Sequence, residues 1–582
     1  MCDLLLVTHN FMAKLTLASA QINTTVGDID SNAKKIINFI KKTEKKKVDI
    51  LTFPELTITG YPPEDLVHYD HFVNSNIKKL KEIARSVKNT TVIIGFVNKI
   101  KNRLYNSAAI IQNKKIKYIY NKIHLPNYGV FDEKRYFYSG DEIPILEINN
   151  VKIGISICED IWEKDSPVSI QAKQGAQIII NINSSPFEHD KHKKRINLIK
   201  KISKENNVYV FYTNQVGGQD ELVFDGGSLL TNNIGEIISS SKRFDENLMI
   251  VTFNTENDSI KSKNQKENFL IKKIKLNNYE NPNKETLNVA PNYSQIDSIY
   301  RALVLGTKDY IRKNNFSRVL VAISGGIDSA LVAAIAANAI GPKNVMGVSL
   351  PSKYSSENSY NDAKVLCENL GMELIKIPIN NIHSSFEESL EKLFNKSEPG
   401  LAEENIQSRI RGNIMMALAN KFNFLLLATG NKSEMATGYG TLYGDMAGAF
   451  SCIKDVSKTM VYEICHHINR SNLSEVIPKN IMIKPPTAEL KPNQLDSDSL
   501  PPYEQLDLII KLYIEKKFSP DKIAKEFKKK FGSFNKKLIM ENINLIDRNE
   551  YKRRQSPPGV KISNLALGKD RRLPISSGWK NL

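Results

Sequence analysis

One stretch constrains the second half of this chain more than any other. Val319-Leu320-Val321-Ala322-Ile323-Ser324-Gly325-Gly326-Ile327-Asp328-Ser329 is an apolar strand that runs through two glycines into an alanine-rich helix. Strands that feed helices in this way, repeated along a chain, build a parallel sheet with helices on its faces. The glycines let the backbone turn sharply and come close to an anion without a Cβ in the way. The N–H groups of the first helical turn, at the positive end of the helix, favour phosphate oxygens. No Gly-Lys-Ser/Thr follows, so the turn is not a Walker A loop. After a first helix near Ser294, predicted strands at 318–323, 345–350, 373–377 and 424–428 alternate with helices at 329–340 and 357–370, which predicts a doubly wound sheet. The rest reads as largely helical, with a proline-rich loop at 484–502.

The first half alternates as well. β-Branched runs at 15–21, 49–53, 91–97, 152–157, 177–182, 208–213 and 248–253 read as strands, with helices at 31–46 and 191–206 between them. Around 254–292 the pattern dissolves into Asn, Lys, Glu and Ser, which reads as a linker. The expected organisation is an extension at 1–12, with Met12 as a candidate start, a first domain at 13–260, a linker at 261–292 and a second domain at 293–582. A chain of 582 residues has room for two or three ordinary cores. Five scattered cysteines without metal spacing point to a reducing compartment, and no apolar run is long enough to span a bilayer, so a cytoplasmic protein without membrane contact is expected. The net charge of +18 comes mostly from lysines interleaved with asparagine, as on solvated faces. Arginines and aromatics that would stack on bases are not interleaved with them, so no nucleic-acid partner is expected.

Three local sequences place a reactive side chain just past an apolar run: Phe53-Pro54-Glu55-Leu56, Asn121-Lys122-Ile123-His124, and Ile157-Cys158-Glu159-Asp160. A thiol must lose its proton to attack, and a partly buried carboxylate can take it. A nearby lysine favours the thiolate and then the oxyanion of a tetrahedral intermediate. In this order the three residues resemble the Glu–Lys–Cys triad of the nitrilase/amidase family. That resemblance implies an α-β-β-α sandwich with Glu55, Lys122 and Cys158 as catalytic residues. It also implies Glu133 as an auxiliary carboxylate and a glutamine site drawn from Tyr61, Tyr128, Glu133, Glu159, Ser185, Lys191 and Arg195. Glu188-His189-Asp190 departs from the pattern of several relatives.

The glycine turn resembles the Ser-Gly-Gly-x-Asp-Ser loop of ATP pyrophosphatases, which cleave ATP to AMP and pyrophosphate while adenylating an acceptor. Leu427-Ala428-Thr429-Gly430-Asn431-Lys432-Ser433-Glu434 also follows an apolar run, so it is expected at the same sheet edge. With the motifs at 437–448, 453–459, 484–490, 498–503 and 552–559, almost the whole chain from about Lys14 is similar to the glutamine-dependent NAD+ synthetase family. The resemblance implies a C-terminal adenine nucleotide α-hydrolase-like domain that uses ATP as cosubstrate and Mg2+. ATP contacts are then assigned to Ser324, Gly325, Gly326, Asp328, Ser329, Thr429, Lys458 and Thr487, with the metal on Asp328 and Glu434. Arg409, Arg411, Asn413 and Lys552 are assigned to deamido-NAD. Glutamine would supply ammonia through a Cys158 thioester. Ammonia released into neutral water mostly protonates, so internal transfer is expected. A homo-oligomer built on a dimer of the second domain is implied too. Two alternatives remain open at this point: a tRNA-modifying ATP pyrophosphatase, and an amidase fused to a non-catalytic nucleotide-binding regulator.

Overall fold

The computed structural model describes residues 13–163, 166–255, 269–278, 283–394, 397–398, 400–492, 494–498 and 500–579. The extension expected at 1–12 and the first part of the expected linker lie outside them. The chain divides into two compact units. One comprises the described residues up to Gln219 together with those of Phe224–Asn292; the other comprises Asp220–Val223 and Tyr293 onward.

Among the described residues, the first unit holds two large sheets. One runs in the spatial order Asn247–Thr255, Ala13–Gln21, Ile50–Thr52, Thr91–Ile100, Arg103–Gln112, Lys115–Asn121. The other runs Ile237–Ser240, Leu229–Thr231, Tyr209–Asn214, Ile178–Asn183, Val151–Ile157, Glu142–Ile148, Leu270–Lys275. Alternation along the strands explains how they stack. Ile178, Ile180 and Ile182 turn into a core shared with Leu15, Leu17, Ile50, Ile93 and Ile110 of the first sheet. Ile179 points the other way, into a cluster with Ala172 of helix Pro167–Lys173 and Ile199 of helix Lys191–Asn206. Each fully buried isoleucine contributes about 1.5–3 kcal/mol, so both faces of the sheet must be covered. On the first sheet's side, helices Ile29–Lys45 and Asp70–Ser86 pack against each other and bury one apolar face each. The result is the expected α-β-β-α sandwich.

Two corrections concern this unit. The strands Arg103–Gln112, Lys115–Asn121 and Glu142–Ile148 were not expected from sequence. Leu270–Lys275, within the segment read as a linker, is an edge strand parallel to Glu142–Ile148. It packs Ile271 and Ile274 on the core. Its lysines suit an edge, where charge discourages further pairing.

The second unit contains a five-stranded parallel sheet ordered Glu373–Lys376, Val345–Ser349, Val319–Ala322, Leu425–Ala428, Phe450–Ser451. The strand order reverses between Val319–Ala322 and Leu425–Ala428. The crevice at the carboxyl ends of those two strands is where a doubly wound sheet binds ligands. The 324–329 turn and the 429–434 segment leave the sheet at that point.

Candidate functional site

In the first unit, Glu55, Lys122 and Cys158 each follow the carboxyl end of a strand. Glu55 and Lys122 are fully buried and Cys158 is 4% exposed. The Lys122 ammonium donates to Glu55 Oε1 at 2.6 Å and to both oxygens of Glu133 at 3.0 Å. Asn106 Nδ2 donates to the same Glu55 Oε1 at 2.7 Å, and the Ser184 N–H donates to Glu55 Oε2 at 3.0 Å. Oε1 is therefore closed by two donors, while Oε2 keeps one lone-pair direction for proton exchange. Burial disfavours the Lys122 cation, but Glu133 and Glu55 outweigh it and hold its pKa above the usual lysine value. Cys158 sits in the left-handed region, φ 43°, where the strand Val151–Ile157 passes into the short helix Cys158–Ile161. Burial, and then the charge of Glu55, push its thiol up, whereas Lys122 pulls it down.

The shape under Glu55 comes from one glycine. A Cβ on Gly95 would lie 2.3 Å from Leu56 N and 2.7 Å from the Glu55 carbonyl carbon. Gly95→Ala should therefore lift the 54–56 segment and lower the kcat of chemistry at Glu55 at least ~10-fold, since small misplacements of reacting groups are costly. Circular dichroism serves as the folding control. A variant with unchanged kcat would show that the close approach is irrelevant to the site.

The expected glutamine contacts divide. The Tyr61 hydroxyl donates to Glu133 Oε1 at 3.0 Å, which joins both residues to the cluster. Tyr128, 52% exposed, donates to Glu159 at 3.0 Å. The Ser185 N–H donates to Asn214 Oδ1 at 3.0 Å. Lys191 lies over the Trp162 ring, 5.0 Å from its centroid. Arg195 is taken up by Asp225, its Nη2 at 2.8 Å from Oδ1, with Arg243 on the other oxygen. These arginines hold Asp225 down to about 2 despite burial. Asn106 and Ser184 were not anticipated. Their types are common in strands and loops, and only the tertiary pairing shows their place.

Burial pushes the Glu133 carboxyl from the usual 4.5 to about 7, although Lys122 pulls it down. Across that interval the folded chain keeps a proton that the unfolded chain has released. The unfolded state thus binds fewer protons, and this contribution to stability falls as pH rises through the window. The stability of the wild type relative to Glu133→Gln should be greater at about pH 5 than at about pH 7.5. Urea unfolding read by Trp162 fluorescence, in a Trp579→Phe background, measures it. A difference that is flat or rises with pH would contradict the assignment.

In the second unit, Gly325 takes φ 79°, and a Cβ there would meet the Ser359 carbonyl oxygen at 2.2 Å. Ser324 and Ser329 brace the turn: the Ser324 N–H donates to Ser329 Oγ at 3.3 Å, and the Gly326 N–H to Ser324 Oγ at 3.2 Å. Asp328, in the first turn of helix Ile327–Ile340, accepts from Asn431 Nδ2 at 2.9 Å and pairs with the Lys458 ammonium. Asn431 caps helix Lys432–Thr437, and its own N–H donates to Glu434 Oε2 at 3.1 Å. Glu434 Oε1 is 4.0 Å from Lys458 Nζ. Burial, and then the charge of Asp328, push the Glu434 carboxyl well up. A carboxyl whose proton affinity is raised by burial and by a neighbouring carboxylate fits a hard dication. Among the described residues no group of three or more His, Cys, Asp or Glu forms a metal cage. Two carboxylates suit Mg2+, which keeps waters and shares phosphate oxygens.

Thr429 is half-buried at the exit of strand Leu425–Ala428. The Thr487 hydroxyl accepts the Glu489 N–H at 3.2 Å, within its own loop. Of the expected dinucleotide contacts, Arg409 and Lys552 meet at one loop, and Arg411 and Asn413 do not join them there. Arg409 Nε donates to the Leu442 carbonyl at 3.3 Å, and Lys552 to the carbonyls of Gly438 and Gly440 at 2.9 Å, so both hold the 438–442 loop. Arg411 turns to the Leu350 carbonyl at 2.9 Å, and Asn413 is exposed. Residues two apart on helix Leu401–Phe422 project to different faces.

The carbon-nitrogen hydrolase family model matches residues 16–257, and the NAD synthase family model matches 299–556. The chain is 44% identical to a glutamine-dependent NAD(+) synthetase of Thermotoga maritima over 98% of this chain and 100% of that protein. It is 42% identical to one of Aquifex aeolicus over 97% and 99%. A solved glutamine-dependent NAD+ synthetase of Acinetobacter baumannii, in complex with adenosine diphosphate, superposes with a TM-score of 0.74 at 36% identity, over 98% of this chain and 100% of that one. One from Cytophaga hutchinsonii shares the fold, with a TM-score of 0.79 at 22% identity, over 97% and 98%.

Proposed function

The chain belongs to the glutamine-dependent NAD+ synthetase family, and on that premise we propose that it makes NAD+ from deamido-NAD, with glutamine as nitrogen donor and ATP as cosubstrate. The observation that carries the first half of the reaction is the buried Lys122 ammonium shared between Glu55 and Glu133. Glu55 Oε2 takes the Cys158 proton, and the thiolate adds to the γ-carbonyl of glutamine. Lys122 supplies positive charge to the oxyanion. Glu55 returns the proton to the departing nitrogen, ammonia leaves, and a thioester remains. Water, deprotonated by Glu55, adds to that thioester, and glutamate and the free thiol are released.

In the second half, the nicotinate carboxylate of deamido-NAD attacks the α-phosphorus of ATP and pyrophosphate leaves. Ammonia then adds to the acyl-adenylate, and AMP departs to give NAD+. The 324–329 turn offers N–H and hydroxyl donors to the leaving pyrophosphate, and Lys458 offers a cation. Mg2+, held by Asp328 and Glu434 when bound, would screen the phosphate charge. The adenosine diphosphate complex of the Acinetobacter baumannii relative supports nucleotide binding by this chain.

The reading carries with it a cytoplasmic protein without a nucleic-acid partner, and no helix among the described residues is long and apolar enough to cross a membrane. It also carries a homo-oligomer. Exposed Ile382, Phe386, Leu401, Met416 and Phe422, on helices Asn380–Phe394 and Leu401–Phe422, support that part. The decisive assay supplies glutamine, ATP, Mg2+ and deamido-NAD and quantifies products. Equal amounts of NAD+, AMP and pyrophosphate are expected. ATP cleavage that needs tRNA and yields no NAD+ would replace this reading with the tRNA-modification alternative.

A further inference from the structure

Asp160 lies two residues past Cys158, fully buried, in the short helix Cys158–Ile161. Its carboxylate accepts four donors. Oδ1 takes the N–H groups of Ile123 at 3.2 Å and His124 at 2.8 Å. Oδ2 takes the Ile157 N–H at 2.9 Å and the Tyr120 hydroxyl at 2.8 Å. All four lone-pair directions are used, and every partner is a donor, an arrangement that suits a carboxylate and no neutral isostere. Tyr120 stays a donor, because burial and then the Asp160 charge push its hydroxyl well up. Burial also pushes the Asp160 carboxyl up, and the His124 and Ile157 N–H groups pull it back.

The four donors come from two separate stretches of chain. Tyr120, Ile123 and His124 bracket Lys122, and Ile157 immediately precedes Cys158. The two stretches belong to different sheets of the sandwich. Cys158 itself is held in a left-handed conformation that residues with side chains adopt at a cost. We propose that Asp160 is a positioning residue for glutamine hydrolysis, clamping the chain around Lys122 to the Cys158 turn and so fixing the nucleophile against the Glu55–Lys122–Glu133 cluster. The inference rests on the glutaminase reading of that cluster.

The test uses the full-length chain with Asp160→Asn and, separately, Tyr120→Phe. Asparagine keeps the volume but turns one acceptor into a donor that faces two donors. Its kcat for glutamine should fall at least ~100-fold with KM within about 3-fold, the pattern of a misaligned reacting group. Alkylation of Cys158 by iodoacetamide, followed by mass spectrometry of its peptide, should change in rate, while ammonium-driven NAD+ synthesis stays within about 3-fold of wild type. Tyr120→Phe removes one donor of four and should lower kcat by roughly 5-fold, again without moving KM. A folded Asp160→Asn protein with wild-type kcat and alkylation rate overturns the proposal, as does a loss confined to KM. If Asp160→Asn does not fold, Tyr120→Phe decides, and an unchanged kcat overturns it. A wild-type protein that does not hydrolyse glutamine refutes the underlying reading instead, so the two failures are distinguishable.

Discussion

Cys158→Ala is expected to lose NAD+ synthesis from glutamine by at least ~10³-fold, the scale on which removal of a covalent nucleophile acts. The same protein should keep synthesis from ammonium at roughly pH 8.5, where more of the amine is free NH3 than at neutrality. Cys158 lies beside the Glu55–Lys122–Glu133 cluster of the first unit, while the 324–329 turn, Asp328, Asn431 and Glu434 lie in the second. Cys158→Ala removes only the sulfur from a site 4% exposed, a small volume, so folding should survive. Circular dichroism checks this before both donors are assayed side by side. A folded variant that still uses glutamine would remove Cys158 from the nucleophile's place. A folded variant dead with both donors would show that the glutaminase half controls the synthetase half, or that ammonia from solvent does not reach the second site.

Much of the parallel core was legible, and the reason is composition. Val319–Ala322 and Leu425–Ala428 are apolar without interruption, and Ile178–Asn183 opens on three isoleucines with Asn181 and Asn183 after them, so all three stand out from their surroundings. Arg103–Gln112 and Lys115–Asn121 carry Arg, Asn and Lys among their apolar residues, and Glu142–Ile148 carries a proline. Their strand state follows from the neighbours they pair with, which a linear pattern does not reveal. Leu270–Lys275 is the extreme case, three lysines in six residues on a sheet edge.

The site divides in the same way. Glu55, Lys122 and Cys158 carry local motifs, and Asn431 with Glu434 carries the Asn-x-x-Glu spacing of a capping box. The partner that occupies Arg195 is Asp225, thirty residues along the chain, and no local pattern links them. An arginine expected as a ligand contact thus also has a partner within the fold. Arg409 and Lys552 make a similar point. Both look available for a dinucleotide, and both spend donors on the carbonyls of one loop.

Asp328→Asn should abolish pyrophosphate release with either nitrogen donor, by roughly 10²–10³-fold, equivalent to about 3–4 kcal/mol of lost electrostatic stabilisation. The substitution keeps the side chain's size and one acceptor for Asn431 Nδ2. It removes the charge that pairs with Lys458, whose side chain is 3% exposed, and it can turn an amide donor toward that ammonium. The carboxylate pair with Glu434 is lost at the same time, and with it the donor set that fits a dication. Glu434→Gln should act in the same direction. It still leaves Lys458 its Asp328 partner, so it should destabilise the second unit less than Asp328→Asn. Glutamine hydrolysis, assayed without ATP or deamido-NAD, should stay within about 3-fold of wild type in both, as for sites without shared partners. Quantifying pyrophosphate and NAD+ with each donor decides the matter. Robust NAD+ formation by a folded Asp328→Asn protein would remove Asp328 from the phosphate and metal site and leave the crevice beside the 324–329 turn without its principal acid.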